Sequence, residues 1–255
     1  MRTHRNVEDY MGQGIPLAAH GPSKAPLFRP LAWLRPKYLL FGFIGLMLVY
    51  VLKHDESFLV DAKDPEWQHI QIFRWWLLPH ALAGACALVL GPMQFSDRLR
   101  LRFVKLHHIV GYIYVTCALI AAPLGAYIQH FNERQGDAPS FTIETMFQGG
   151  FWMITTCVAL AFILKGKIQQ HRQWMIRSFG TGPLIFLEVR VIGGITGWEK
   201  LGSHTNETIV WACTASSILI ADLVIQAEEF YRLRSSRAKA QRKSELRNEM
   251  IKVST

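Results

Sequence analysis

The sequence predicts an all-α integral membrane protein, a polytopic bundle of six transmembrane helices with both termini in the cytoplasm. Six apolar runs carry this prediction, and they alternate with loops that are in turn rich and poor in lysine and arginine. A helix that crosses a bilayer needs about 20 mostly apolar residues, because each residue rises about 1.5 Å against a core about 30 Å thick. The runs are 38–52, 73–95, 108–128, 146–164, 174–195 and 208–228. Each is expected to be helical, since peptide groups in hydrocarbon must pair internally.

The distribution of lysine and arginine predicts the orientation. Cytoplasmic loops of membrane proteins carry the excess of these residues. The segment before the first run, the loops after the second and fourth runs and the tail 232–252 are all basic, whereas the opposite loops carry far fewer basic residues, among them Lys63, Arg134 and Lys200. The formal charge of +9 is therefore expected to lie against the anionic lipids of the inner leaflet. The basic residues then require no nucleic acid as a partner.

We expect a single membrane domain. Residues 1–36 are proline-rich and basic and should lie on the inner surface, residues 37–228 should form the transmembrane domain, and residues 229–255 should form a basic, helical cytoplasmic tail. No cleavable signal peptide is evident, so the first run is expected to remain as an anchor in the cell membrane, the inner membrane of a bacterial host. The four cysteines fall inside apolar runs, which argues against structural disulfides.

Polar side chains within the runs are the candidate functional residues, because the membrane penalises them. Depth along each run separates these side chains into two layers. The outer layer comprises His80, Gln148, Glu188 and Arg190, and the inner layer comprises Gln94, His107, His108, His171, Arg172, Arg177 and Asp222.

Within these layers, helical spacing limits which residues can pair. Glu188 and Arg190 lie two positions apart, so they point away from each other by about 160° and each needs its own partner. His80 has the right depth to pair with Glu188, and Arg177 or a histidine could pair with Asp222.

Several motifs between residues 75 and 195 occur in a specific combination. They are 80–84 (HALAG), 90–95 (LGPMQF), 102–107 (RFVKLH), 111–115 (GYIYV) and 171–178 (HRQWMIRS), with Arg190 beyond them. The combination resembles a family of bacterial predicted membrane proteins, domain of unknown function 2306. The family pattern more often has arginine at the position of His108, and Gly111 sets a register that favours His107 as the matching histidine. This resemblance implies topology and motif positions but no reaction.

Histidines on several membrane helices favour haem ligation, because two facing neutral imidazoles can bind iron axially. His107 and His171 both lie at the inner face and are the predicted metal ligands of a haem b, with Arg172, Arg177 or Lys105 at its propionates. His80 would bind a second haem or contact a quinone, although the fourth run offers no histidine as a partner. The arrangement partly resembles transmembrane b-type cytochromes, which use four helix-borne histidines. We therefore predict a redox protein that, if it is an enzyme, is a membrane oxidoreductase.

The alternative is a non-haem protein. In that interpretation His80, Glu188, Arg190 and Asp222 form proton-linked or structural pairs in a transporter or in an accessory subunit of a membrane complex. A quinone or another redox partner, further complex subunits and a second copy of the chain are the partners compatible with the two interpretations. The segments lack HExxH, GxSxG and Walker patterns, which argues against hydrolase chemistry of the soluble type.

Overall fold

The computed structural model describes residues 36–54, 74–134, 139–196 and 203–254, and the regular structure in these residues is helical. The elements are α1 (Pro36–His54), α2 (Arg74–Gln94), α3 (Asp97–Arg102), α4 (Val104–Glu133), α5 (Pro139–Leu164), α6 (Ile168–Phe179), a π-helical segment (Gly180–Leu184), α7 (Ile185–Thr196) and α8 (Ser203–Ser254). Contacts divide the chain into two units, Met1–Leu39 and Leu40–Thr255, and all helices from α2 onward lie in the second. Most of the proline-rich amino-terminal segment, together with Lys63 and Lys200, lies outside the described residues.

Five membrane-crossing helices are present among the described residues, judged by length and apolar composition. They are Trp75–Gln94, Val104–Glu133, Pro139–Leu164, Ile168–Ile195 and Glu207–Lys252. The fourth is a continuous span built from α6, the π-helical segment and α7. In α1 the described apolar stretch is the shorter Gly42–Val51. The chain is therefore a multi-pass integral membrane protein.

Several helices begin earlier than the apolar runs predicted. Helix α5 begins at Pro139 and not at residue 146, which places Glu144 inside the helix. Helix α6 begins at Ile168 and not at residue 174, which places His171 in its first turn. Hydropathy reports only the part of a helix that faces hydrocarbon, whereas the hydrogen-bonded helix continues through polar residues toward its ends. The loop after α2 also contains the short helix α3, which Ser96 caps by accepting a hydrogen bond from the Leu99 amide.

Helices α2, α4, α5 and α6 form a four-helix bundle. Helix α2 packs on α4, α4 on α5 and α5 on α6, while the π-helical segment that follows α6 contacts α2. This order closes a ring in which α4 and α6 stand at opposite corners. Because successive helices alternate in direction, α4 and α6 both begin at the same end of the bundle. Helix α8 packs outside this ring against α5, α6, the π-helical segment and α7.

Glycines permit the closest contacts between helices. A Cβ atom at Gly91 would lie 2.4 Å from the Phe179 ring, and one at Gly182 would lie 2.3 Å from the Trp152 indole. Helix α8 likewise approaches the π-helical segment at Gly180, where a Cβ atom would lie 2.9 Å from that of Ala221. Small residues at such crossings let the backbones approach closely, as in membrane helix pairs generally. The π-helical segment and the last residue of α6 therefore pack closely against α2, α5 and α8.

Candidate functional site

Two histidines lie at the same level of opposite bundle helices. His107 is the fourth residue of α4, and His171 is the fourth residue of α6. Because both helices begin at the same end of the bundle, the two side chains lie at similar depth. We call His107 and His171 the histidine pair.

One hydrogen bond orients the ring of His171. Its Nδ1 lies 2.8 Å from the backbone oxygen of Ala159 on α5. A carbonyl oxygen only accepts, so Nδ1 carries the proton and Nε2 keeps its lone pair. Metal-bound histidines commonly donate their other ring nitrogen to a carbonyl in this way. His171 is therefore held in the tautomer that a ligand requires.

The surroundings of His107 come from the end of α2. The Gln94 amide donates a hydrogen bond of 3.3 Å to the backbone oxygen of His107. The same amide fills the space beside Gly111, where a Cβ atom would lie 3.4 Å from its oxygen. Nδ1 of His107 is buried without a hydrogen-bond partner among the described residues. The neighbouring His108 is exposed.

The arginines beside the histidine pair contact α8. Arg172 lies 2.6 Å from the Glu228 carboxylate, and Arg177 binds Asp222 through Nε at 3.0 Å and Nη2 at 2.9 Å. The pairing of Asp222 with Arg177, one of the two options from the sequence, is confirmed. Both guanidinium groups thus form ion pairs with carboxylates of α8, outside the four-helix bundle. Adjacent helical positions differ by about 100°, which explains why Arg172 faces α8 while His171 faces α5.

The Arg177–Asp222 pair is expected to contribute little to stability. The two side chains are 32% and 44% exposed, and ion pairs at such exposure contribute about 0.2–1 kcal/mol. A double-mutant cycle with Arg177→Gln and Asp222→Asn, measured by unfolding in detergent, should give a coupling free energy in this range. A coupling near 3 kcal/mol or above would show that the pair behaves as a buried one.

A hydroxyl network occupies the centre of the bundle. The hydroxyl groups of Tyr114 and Ser178 lie 3.0 Å apart, and those of Ser178 and Thr156 lie 2.6 Å apart. The Trp152 indole N–H donates to the Tyr114 oxygen at 3.4 Å. These four residues are buried and join α4, α5 and α6. Sequence reasoning missed them because hydroxyl and aromatic side chains are common in apolar runs, and only packing reveals that these converge.

His80 lies nearer the opposite end of the bundle and binds α4. Its Nδ1 lies 2.8 Å from the Ala121 backbone oxygen, and its ring occupies the space left by Gly125, where a Cβ atom would lie 2.8 Å from the imidazole. The suggested pairing of His80 with Glu188 is therefore wrong. Depth alone suggested that pairing, whereas the direction of each side chain depends on helix rotation.

Two buried carboxylates face α8. Glu188 is 8% exposed and accepts a hydrogen bond of 2.6 Å from Ser216, and Glu144 is 1% exposed and accepts one of 2.5 Å from Thr214. Sequence reasoning missed Glu144 because it placed the start of the fourth run at residue 146. Arg190 is exposed, and its guanidinium carbon lies 5.5 Å from the centre of the Phe186 ring.

The histidine pair offers two imidazole donors at one end of the bundle. Among the described residues, no group of three or more His, Cys, Asp or Glu side chains could hold a metal ion. A haem needs only two protein ligands, since its porphyrin supplies the other four. Cofactors of helical bundles are bound by side chains that project inward from facing helices. Two cavities, of about 390 and 270 Å³, lie elsewhere, beside Gly150 and beside Phe103.

Comparison with known proteins gives one match. Residues 77–225 match the model of a family described as predicted membrane protein (DUF2306). The match includes the four bundle helices and the first half of α8, and it covers more than half of the chain. No curated protein and no solved structure matches the chain. The partial resemblance to b-type cytochromes therefore finds no support in these comparisons.

Proposed function

The chain belongs to the DUF2306 family of predicted membrane proteins, and from this premise we propose that it is a haem b protein that transfers electrons in the membrane. His107 and His171 would hold the haem iron in this proposal. The observation that supports it is the placement of both histidines at one level of opposite helices, with Nδ1 of His171 bound to a backbone carbonyl.

The proposal includes six spans, with α1 as the first and both termini in the cytoplasm. Basic residues at the end of the bundle that carries the histidine pair support this orientation. Helix α3 and the turn after α5 lie at this end, and they contain Arg98, Arg100, Arg102, Lys165 and Lys167. Such an excess of basic residues favours the cytoplasmic side. The haem would then lie near the inner leaflet, within reach of a cytoplasmic electron donor.

The residues around the histidine pair would each have a specific role in holding the haem. The Ala159 carbonyl holds the proton of His171 on Nδ1 and keeps Nε2 available. Gln94 ties the end of α2 to the backbone at His107 and so fixes the spacing between the two helices there. The buried Tyr114 and Trp152 side chains fill the bundle centre and exclude water from one side of the pair. When bound, haem supplies the one-electron chemistry.

The visible absorption spectrum of the purified protein tests this proposal. The protein would be produced in cells supplied with a haem precursor and measured in detergent, first oxidised and then reduced with dithionite. We expect a Soret band that shifts on reduction and sharp α and β bands, at about one haem per chain, as a bis-histidine site requires. A colourless protein from such cells would contradict the proposal.

A further inference from the structure

A second polar site lies between α7 and α8, and it shares no residue with the histidine pair. Its centre is the Glu188 carboxylate, which accepts a hydrogen bond from the Ser216 hydroxyl. The Ser217 hydroxyl also interacts with the Glu188 carboxylate. Ser217 is fully buried, and it makes no hydrogen bond of regular geometry among the described residues. Its oxygen therefore has lone pairs that an ion or a water molecule at the site could use.

The described residues place no positive side chain beside these carboxylates. Their salt bridges involve other carboxylates, so none of their lysines, arginines or histidines lies within 4.0 Å of Glu188 or Glu144. An ionised carboxylate without a counter-charge is strongly disfavoured inside a membrane. A cation bound from solution would supply the missing charge.

Glu144 lies between this site and one end of the bundle. Glu144 is the sixth residue of α5 and therefore lies close to Pro139, where that helix begins. Glu188 lies farther from Thr196, the end of α7 on the same side of the bundle. Glu144 accepts a hydrogen bond from Thr214 and Glu188 accepts one from Ser216, so the two acidic groups contact α8 two positions apart.

We propose that Glu188, Ser216 and Ser217 bind a small monovalent cation, H⁺ or Na⁺, that reaches them past Glu144. Carboxylate and hydroxyl oxygens are hard ligands suited to such cations. Bound Na⁺ would occupy the open coordination of the Ser217 oxygen and neutralise Glu188. A proton on Glu188 would neutralise the same charge and donate to the Ser217 oxygen.

The test compares the full chain in detergent with its Glu188→Gln variant. Thermal unfolding is measured in NaCl and in choline chloride at equal ionic strength, and the protonated carboxyl band is measured by infrared spectroscopy in H₂O and D₂O. For Na⁺, we expect the wild type to be stabilised by NaCl and E188Q to be insensitive. For H⁺, we expect no difference between the salts and a carboxylic acid band that E188Q lacks. If the wild type shows neither effect, the site binds no cation and the proposal is overturned.

Two further variants make the test specific. Glu133→Gln removes a carboxylate at the last residue of α4, where it pairs with His130, and should behave as the wild type in both measurements. Ser217→Ala keeps the carboxylate and should raise the Na⁺ concentration for half-maximal stabilisation by about tenfold, or shift the acid band if the ligand is H⁺. An unchanged response in S217A would contradict the role of this hydroxyl. Because these measurements do not involve haem, their outcome is independent of the spectrum of the histidine pair.

Discussion

Replacing His107 or His171 with alanine is expected to abolish the low-spin haem spectrum while leaving the protein in the membrane. Each substitution removes one of the two axial ligands, and a haem with a single histidine ligand is five-coordinate and loses its sharp α band. The double variant should lose bound haem altogether. The measurement is the reduced-minus-oxidised spectrum per mole of purified chain, together with the amount of chain recovered from membranes.

The control for this pair of substitutions is His108→Ala. His108 is exposed and adjacent to His107, with the two ring centres 6.0 Å apart. Its removal should leave the spectrum unchanged, so the comparison separates ligation from a general effect of losing an imidazole at this end of α4. An unaltered low-spin spectrum in either H107A or H171A would rule out the proposed ligand set.

Substituting Gly182 with alanine is expected to lower the thermal stability of the bundle. The new Cβ atom would lie 2.3 Å from the indole of Trp152, which is 7% exposed and has no free space to enter without repacking. Overpacking of this kind costs about 1–3 kcal/mol. Trp152 also donates to Tyr114, so its displacement should weaken the hydroxyl network. Unfolding in detergent, followed by size-exclusion recovery after heating, measures the effect.

Gly150→Ala is the matched control, because a Cβ atom there would meet nothing within 4 Å. Both substitutions replace a helical glycine with a better helix former, which by itself is worth up to about 1 kcal/mol in favour of the variant. A stable G182A with an unchanged G150A would show that the π-helical segment can move away from α5. The predicted contact between Gly182 and Trp152 would then be incorrect.

The sequence predicted the membrane class and the spans because both depend on local composition. Five predicted runs correspond to the five long apolar helices, and the first corresponds to α1, of which a shorter apolar stretch is described. Helix ends were less predictable, since residues such as Glu144 continue a helix in hydrogen bonding but not in hydropathy. A helical pattern sought upstream of residue 146 would have revealed this carboxylate.

The partners of individual polar residues were only partly predictable. Spacing and depth identified Arg177 as an option for Asp222, because both lie near the same helix ends. Depth also suggested Glu188 for His80, yet their partners are Ser216 and the Ala121 backbone. A backbone acceptor carries no sequence signal, since every residue has one. Rotation of each helix about its axis, which tertiary packing sets, decides such contacts.

Helix α8 is the longest of the described helices. Its 52 residues make one continuous helix, about 78 Å long at 1.5 Å per residue. Arg232 donates a hydrogen bond to Gln169, and Glu228 and Glu229 fasten α8 to Arg172 and Gln173 of α6. The 22 residues from Leu233 to Ser254 extend about 33 Å beyond this fastening. These hydrogen bonds join the extension to the helix that carries His171. A partner that bound the extension would therefore contact an element fastened directly to that helix.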